Sequence, residues 1–338
     1  MSVIFAVTLP FFGLVLCGFL AARQGILPAA AIPGLNAFVL FFALPCMLYR
    51  FGASMPFADL IDPGLMLVYL ASALVMIFFS IAMTWTRSPH QPGVDLRNAA
   101  FGALVAAFPN TGFMGVPLLV ALMGQQAAGP AIGSILIDLI ITSTLCIALA
   151  QAQHQSIDDE TYAHQSDRPS AGAAALRSLR GAMTNPLPWS IALGAAAAAV
   201  GFVLPGPIDQ IVKMLGDAAT PVALFTIGSV LWRAEQHAHT RTPIGLFLPV
   251  ALMKLLIHPA LVLSIGLVAK ACGVAVPAFG LTVLVLVAAL PSASNVSLLA
   301  ERFGADNGRI ARIIMASTVL AFGSFSLLAW LFGASATA

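Results

Sequence analysis

Two short stretches place helix-breaking residues beside side-chain amides. The first is Pro109-Asn110-Thr111-Gly112, within AAFPNTGFMGVPLLVALMG; the second is Pro291-Ser292 with Asn295, within AALPSASNVSLLAERFG. Proline lacks an amide hydrogen and clashes with the preceding turn, and Gly112 lets the backbone leave helical angles. A helix broken there offers free N–H groups where its second half begins, near Gly112 and Val296. Helix N-termini carry partial positive charge and suit an anion. The carbonyls that end the first halves, near Ala107 and Ala289, suit a cation. Asn110 and Asn295 add amides that can donate to a carboxylate, so the expected chemistry is reversible binding of a small anion.

Three ionisable residues lie in otherwise apolar runs: Asp138 in AIGSILIDLIITSTLC, and Lys254 and His258 in ALMKLLIHP. A lone charge at mid-membrane costs roughly 3 kcal/mol or more. Ser134, Asp138 and Thr142 recur at i, i+4 and i+8, so they form one polar stripe. We expect Asp138 and Lys254 to pair near the breaks or to flank them. There they would hold a coupling proton, or Lys254 would stand in for a sodium ion. A structural ion pair is the plainer alternative. His258 precedes Pro259, which frees the carbonyl of Leu255, and a hydrogen-bonded structural histidine is its plainer reading. Arg50, beside Tyr49, is either an interface anchor or an attractor of anions.

These residues must be positioned by membrane helices. Of 338 residues, 60% are hydrophobic and 8% charged, against roughly 45–50% and 25% in soluble domains. A net charge of +2 provides no electrostatic case for nucleic acid. Cys17, Cys46, Cys146 and Cys272 show no metal-ligand spacing and read as small core residues. Ten apolar segments are legible: 3–21, 34–51, 64–85, 97–123, 131–152, 186–204, 210–232, 244–269, 277–303 and 309–333. The first lacks a basic leader and reads as a retained span rather than a signal peptide. A polar break, 153–185, contains HQSIDDETYAHQSDRPS and reads as a flexible loop.

Basic residues set the orientation. Eleven arginines follow odd-numbered segments (Arg23, Arg87, Arg97, Arg168, Arg177, Arg180, Arg233, Arg241, Arg302, Arg309 and Arg312), whereas Arg50, Lys213 and Lys270 follow even-numbered ones. The odd-numbered loops should be cytoplasmic and both termini outside. The halves also match in order: the two broken stretches, FFALPCML around Pro45 with AATPVALF around Pro221, and ITSTL with MASTV. Five spans per half is odd, so the second copy inserts upside down, as in many secondary transporters.

PNTGFMGVPLL in the fourth segment, FALP in the second and proline-x-x-x-asparagine before LLAERFG in the ninth resemble the auxin efflux carrier family over essentially the whole chain. The resemblance implies an all-α membrane protein of ten transmembrane helices in two inverted five-helix repeats, similar to the bile-acid sodium symporter fold. Residues 1–152 and 186–338 would be the repeats and 153–185 a cytoplasmic loop. Helices 1, 2, 6 and 7 would form a scaffold; helices 3–5 and 8–10 would form a mobile transport domain in which broken helices 4 and 9 cross. The family's crossover residues correspond to Pro109, Asn110 and Pro291, with either Ser292 or Asn295 answering Asn110. Bacterial relatives suggest small acids such as malonate or malate and an inner-membrane location. A homodimer is left open.

The expected function is thus a secondary carrier of a small organic anion working by alternating access, with no cofactor beyond a coupling proton or sodium ion. A sodium-coupled symporter or cation–proton antiporter of similar architecture is the alternative. Enzyme chemistry is not expected: there is no HExxH, no catalytic aspartate pair, and only three tyrosines and four tryptophans.

Overall fold

Backbone polar groups in lipid must be satisfied within the chain, which leaves helices or closed barrels. This chain takes the helical solution. The computed structural model describes residues 2–56, 60–85, 94–158, 171–236 and 242–334. Among them the only extended pairings are two isolated bridges. Arg87, Arg168 and Arg241 lie outside the described residues.

Helices α1 (Ser2–Arg23), α2 (Ala29–Ala53) and α3 (Pro63–Thr84) are each long and apolar enough to cross a membrane. Then come two short apolar helices, α4 (Leu96–Ala107) and α5 (Thr111–Met123), and the long α6 (Gln125–Ala152), which continues to Asp158. Next are α7 (Ala171–Thr184) and α8 (Pro186–Ala199), followed by the long α9 (Gly206–Gln236) and α10 (Ile244–Ala271). Short α11 (Ala278–Ala288) and α12 (Asn295–Arg302) precede the long α13 (Asn307–Leu331). Among the described residues, seven helices therefore have membrane-crossing length.

Starts are set by caps. Asp62 accepts from the Leu65 amide at 3.0 Å, Asp95 from Asn98 at 2.8 Å, and Asp306 from Arg309 at 2.9 Å. Each side chain satisfies an amide that the first turn leaves open. Outward-facing Leu16, Phe41, Phe78 and Val319 would form a large apolar patch in water and suit a lipid boundary.

Part of the expected loop 153–185 is helical. AGAAALRSLRGAMT in α7 is rich in alanine, leucine and arginine, all strong helix formers. Only the flanking Ser-, Asp- and Gln-rich stretch lacks that propensity, and 159–170 fall outside the described residues. Pro221 does not break α9, whereas Pro45 follows a π-helical turn at Val39–Ala43.

The helices fall into two groups that also touch each other, α1 and α9 lying against α13 and α5. In the first, α1 lies against α9 and α2 against α8. A side chain at Gly18 would collide with the Phe225 carbonyl, and one at Gly228 with that of Val15. The second crossing repeats this: Gly194 abuts the Tyr49 carbonyl and Gly52 that of Ile191. Such contact lets membrane helices approach closely. The second group brings together α3, α4, α6, α10, α11 and α13. At its arginine-rich end, Arg309 donates to the carbonyls of Leu246 and Asn98, both at 2.8 Å, and Arg97 to Gly304 at 3.2 Å.

Candidate functional site

The break between α4 and α5 and the break between α11 and α12 meet. Pro109 and Ser292 form an antiparallel bridge. The Asn110 amide donates to the Pro291 carbonyl at 2.8 Å, and the Ala293 amide to the Phe108 carbonyl at 3.0 Å. Backbone groups released by one broken helix are thus taken up by the other. This exchange relates Asn110 to Ala293 and Pro109 to Ser292, a register one residue removed from proline against proline. Asn295 lies two residues further on, at the first turn of α12.

The bookkeeping of amides explains the local shape. Pro109 has no hydrogen for the Val105 carbonyl. The Asn110 amide goes across the crossover, and the Thr111 amide turns back to the Pro109 carbonyl at 2.8 Å. The carbonyls of Val105, Ala106 and Ala107 therefore lose their helical donors. Restart occurs through a π-helical turn, Thr111–Gly115, in which Asn110 accepts from Met114 and Gly115. Gly115 lets the two breaks approach closely, because a side chain there would meet the tip of Leu290 across the crossover.

Around this pairing the side chains are buried and incompletely bonded. Asn110 is 3% exposed, Thr111 1% and Ser292 1%. Asn110 Oδ1, Thr111 Oγ1, Ser292 Oγ and Asn295 Oδ1 have no hydrogen-bond partner. Buried polar atoms without partners are uncommon and call for a reason. Gly112 has open space beyond it, with only Ile135 as near as 4.0 Å.

Asp138 and Lys254 both occupy π-helical turns, Asp138–Thr142 and Met253–Ile257; such turns recur at functional sites. Both residues are fully buried. The direct ion pair considered from sequence does not form. Asp138 instead accepts from the Tyr69 hydroxyl at 2.8 Å and from Thr142 at 3.2 Å. Lys254 donates to the Ala288 carbonyl at 2.7 Å and lies 3.1 Å from His258 Nδ1. The reason is local. In an unbroken helix the Ser292 amide would serve Ala288; here it donates to Ser317 Oγ at 3.1 Å. The released carbonyl attracts the ammonium. His258 Nε2 remains unpartnered, and the His258 ring lies 6.0 Å from that of Tyr69. Ser134 turns its hydroxyl to the Ala131 carbonyl.

Arg50 sits apart, in an ion pair with Asp217 at 2.8 Å, at the rim of a cavity of about 680 Å³. That cavity is walled by Tyr49, Pro117, Gln125 and Thr220 among others; the breaks do not line it. Two participants were not singled out from sequence. Tyr69 was findable, since a hydroxyl in mid-span must find a partner. Ser317 lies in the MASTV stretch that matched ITSTL, but its role depends on where α13 packs.

A family described as membrane transport protein matches residues 3–331. A Rhizobium meliloti protein named "Putative malonate transporter" is 27% identical over 334 residues, covering 98% of this chain and 96% of its own. The uncharacterized transporter YfdV of Escherichia coli K12 is 25% identical, covering 93% and 92%. Auxin efflux carrier component 8 of Arabidopsis thaliana is 24% identical, covering 76% and 79%. Together with the apolar helices, these matches identify a multi-pass membrane protein, and the chain belongs to the membrane transport protein family that includes the auxin efflux carriers.

Proposed function

We propose that this protein is a secondary carrier that binds a small carboxylate at the crossing of its two broken helices and moves it by alternating access. One observation carries the reading: two breaks pair across each other and leave two buried hydroxyls, Thr111 and Ser292, without protein partners, beside the unpartnered amide oxygens of Asn110 and Asn295. Thr111 and Ser292 hydroxyls and the Asn110 amide would donate to the carboxylate, and the first amides of α5 would add their partial charge. Lys254, held against Ala288, supplies a fixed positive charge beside the second break. A dicarboxylate of malonate size is the substrate class to test first, since a relative bears that name.

In this reading α4 with α5, and α11 with α12, each count as one crossing, and α8 as another, which makes ten. The repeats would be residues 1–152 and 186–338, inverted, on a plan similar to the bile-acid sodium symporters. The two glycine crossings support an inverted pair, because exchanging first with sixth and second with seventh spans turns the α1–α9 contact into the α8–α2 contact. The group containing α1, α2, α8 and α9 would be the scaffold, and the other would slide or rock against it. By the arginine bias the protein would sit in a bacterial inner membrane with both termini outside.

The reading is tested by uptake of radiolabelled malonate and malate into proteoliposomes, beside a thermal-shift screen of mono- and dicarboxylates. A true ligand raises apparent stability by mass action. Asn110→Ala should weaken the apparent affinity of whichever acid is carried. Unaltered affinity for every acid would remove the site.

A sodium-coupled symporter is a second reading, favoured by the released carbonyls of Val105, Ala106 and Ala107, which have no neighbouring lysine comparable to Lys254 in α3. It requires sodium-stimulated uptake. Coupling by a proton on Asp138 requires instead that Asp138→Asn flatten the pH profile of uptake.

A further inference from the structure

We infer that Asp138 exchanges protons with the outer solution through a side path of its own, running past Asp62 and Tyr69 and separate from the route of the substrate. The inference rests on the reading of Asp138 as the coupling carboxylate.

The geometry is as follows. At the end of the molecule where α2 and α5 finish, a recess of about 490 Å³ is lined by Pro56, Asp62, Gln126 and Phe279, among others. Beneath it lies a cavity of about 10 Å³, lined by Tyr69, Gly133 and Ser134, which is about the space one water needs. Asp62, Leu65 and Pro130 belong to the walls of both. One oxygen of Asp62 caps α3, and the residue lines both the recess and the cavity beneath it. Below the cavity the Tyr69 hydroxyl donates to Asp138 Oδ2. Asp62, a one-water cavity, Tyr69 and Asp138 thus form a sequence of polar groups leading inward. The 680 Å³ cavity between α2, α5 and α9 has different walls, sharing only Ser54 and Gln125 with the recess.

Asp138 has a hydroxyl partner on each oxygen, Tyr69 on one and Thr142 on the other, and both can donate to it when it is ionised. Proton entry is then a concerted hop. A proton arriving from the recess past Asp62 makes the cavity water a hydronium ion, which passes a proton to the Tyr69 oxygen and is left as neutral water, as the Tyr69 hydrogen moves to Asp138 Oδ2. One O–H bond breaks and one forms at tyrosine, and the carboxylate becomes a neutral acid. The other groups around Asp138 are Cys146 on its own helix and Lys254 and His258 on α10. None of the three lines the recess or the small cavity, so the path bypasses them.

The test is time-resolved infrared spectroscopy of the full chain in proteoliposomes of one orientation, without substrate. The Asp138 carboxyl band is identified by its loss in Asp138→Asn. Acidifying the outer side should raise this band within the mixing time; acidifying the lumen alone should not. Tyr69→Phe keeps the ring and removes the relay hydroxyl, and should slow the rise at least tenfold. Gly133→Ala should do the same by filling the cavity; an added Cβ there meets the Leu60 carbonyl at 3.6 Å and Met66 at 3.8 Å, ordinary contacts. Equal rates in wild type and Tyr69→Phe, a response to lumenal acid, or no titration between about pH 4 and 9 overturns the path. Because the readout needs no transported acid, absence of malonate uptake would count against the proposed function alone.

Discussion

The two breaks are built from similar residues and pair with each other, yet they are finished differently. At the second, the Ala288 carbonyl is held by the Lys254 ammonium, and the Ser292 amide by Ser317. At the first, three carbonyls lose their donors to Pro109 and to the crossover, and α3 beside them carries no charged residue. One break has a lysine on its released carbonyl and the other has none. An inverted arrangement with equal halves would present the same field to both sides of the membrane. The inequality gives the site a fixed positive pole at one break and leaves the opposite carbonyl cluster available.

The strongest way to break this comparison is to remove the resident cation. Lys254→Ala leaves the Ala288 carbonyl buried and unpaired, at a cost of about 1–3 kcal/mol, and deletes the positive pole. Uptake should fall at least 100-fold, with a lower melting temperature. Lys254→Arg should restore fold stability better than transport, because the planar guanidinium does not reproduce a point charge. Wild-type uptake in Lys254→Ala would end the argument that the second break is electrostatically special.

Removing Asp138 tests whether the negative partner matters without direct contact. Asp138→Asn keeps hydrogen-bonding capacity toward Tyr69 and Thr142 while removing charge. The expected result is a roughly tenfold loss of acid-stimulated uptake with little loss of fold. The sign follows from the proton step: only a carboxylate can take a proton as outer pH falls, so the variant should lose the rise on acidification and keep the alkaline rate.

Asn110→Ala sharpens the comparison from the other side, since the related position in the second break is already Ala293. A hydrogen bond to a charged group contributes about 1.5–3 kcal/mol, so apparent affinity for the carried acid should drop about tenfold or more, read from the concentration dependence of uptake. The smallest effect is expected at Ser317. Ser317→Ala frees the Ser292 amide to return toward Ala288, in competition with Lys254. Uptake should change about twofold, and hydrogen exchange at the Ser292 amide should rise. No change at that amide would mean that Ser317 does not help hold the break open.

Much of the fold was legible because lipid narrows the choices. Apolar runs of membrane length had to be helices, and the deviations at Pro109 and Pro291 stood out against them. The order of matching stretches pointed to two related halves, and the resemblance to auxin efflux carriers agreed with the family found. Boundaries set by propensity within a polar stretch were less legible: α7 was hidden inside 153–185, because composition averaged over that window conceals fourteen helix-forming residues. Pro221 looked like a partner to Pro45, but a proline in a packed helix leaves the axis intact when neighbours hold it.

Sequence alone determined that this chain lives in lipid, that two of its helices cannot run straight, and that Asp138, Lys254 and His258 needed reasons to be buried. Those conclusions depend on local covalent facts: a proline has no amide hydrogen, and a charge has a solvation cost wherever it sits. Only the tertiary structure decided who answers whom. Lys254 meets Ala288 rather than Asp138, Tyr69 takes the carboxylate, and Pro109 lies opposite Ser292. Such partnerships join residues up to 183 positions apart in sequence, and no local spacing rule encodes them. They follow from which helices pack side by side and from which freed backbone groups come within reach of one another.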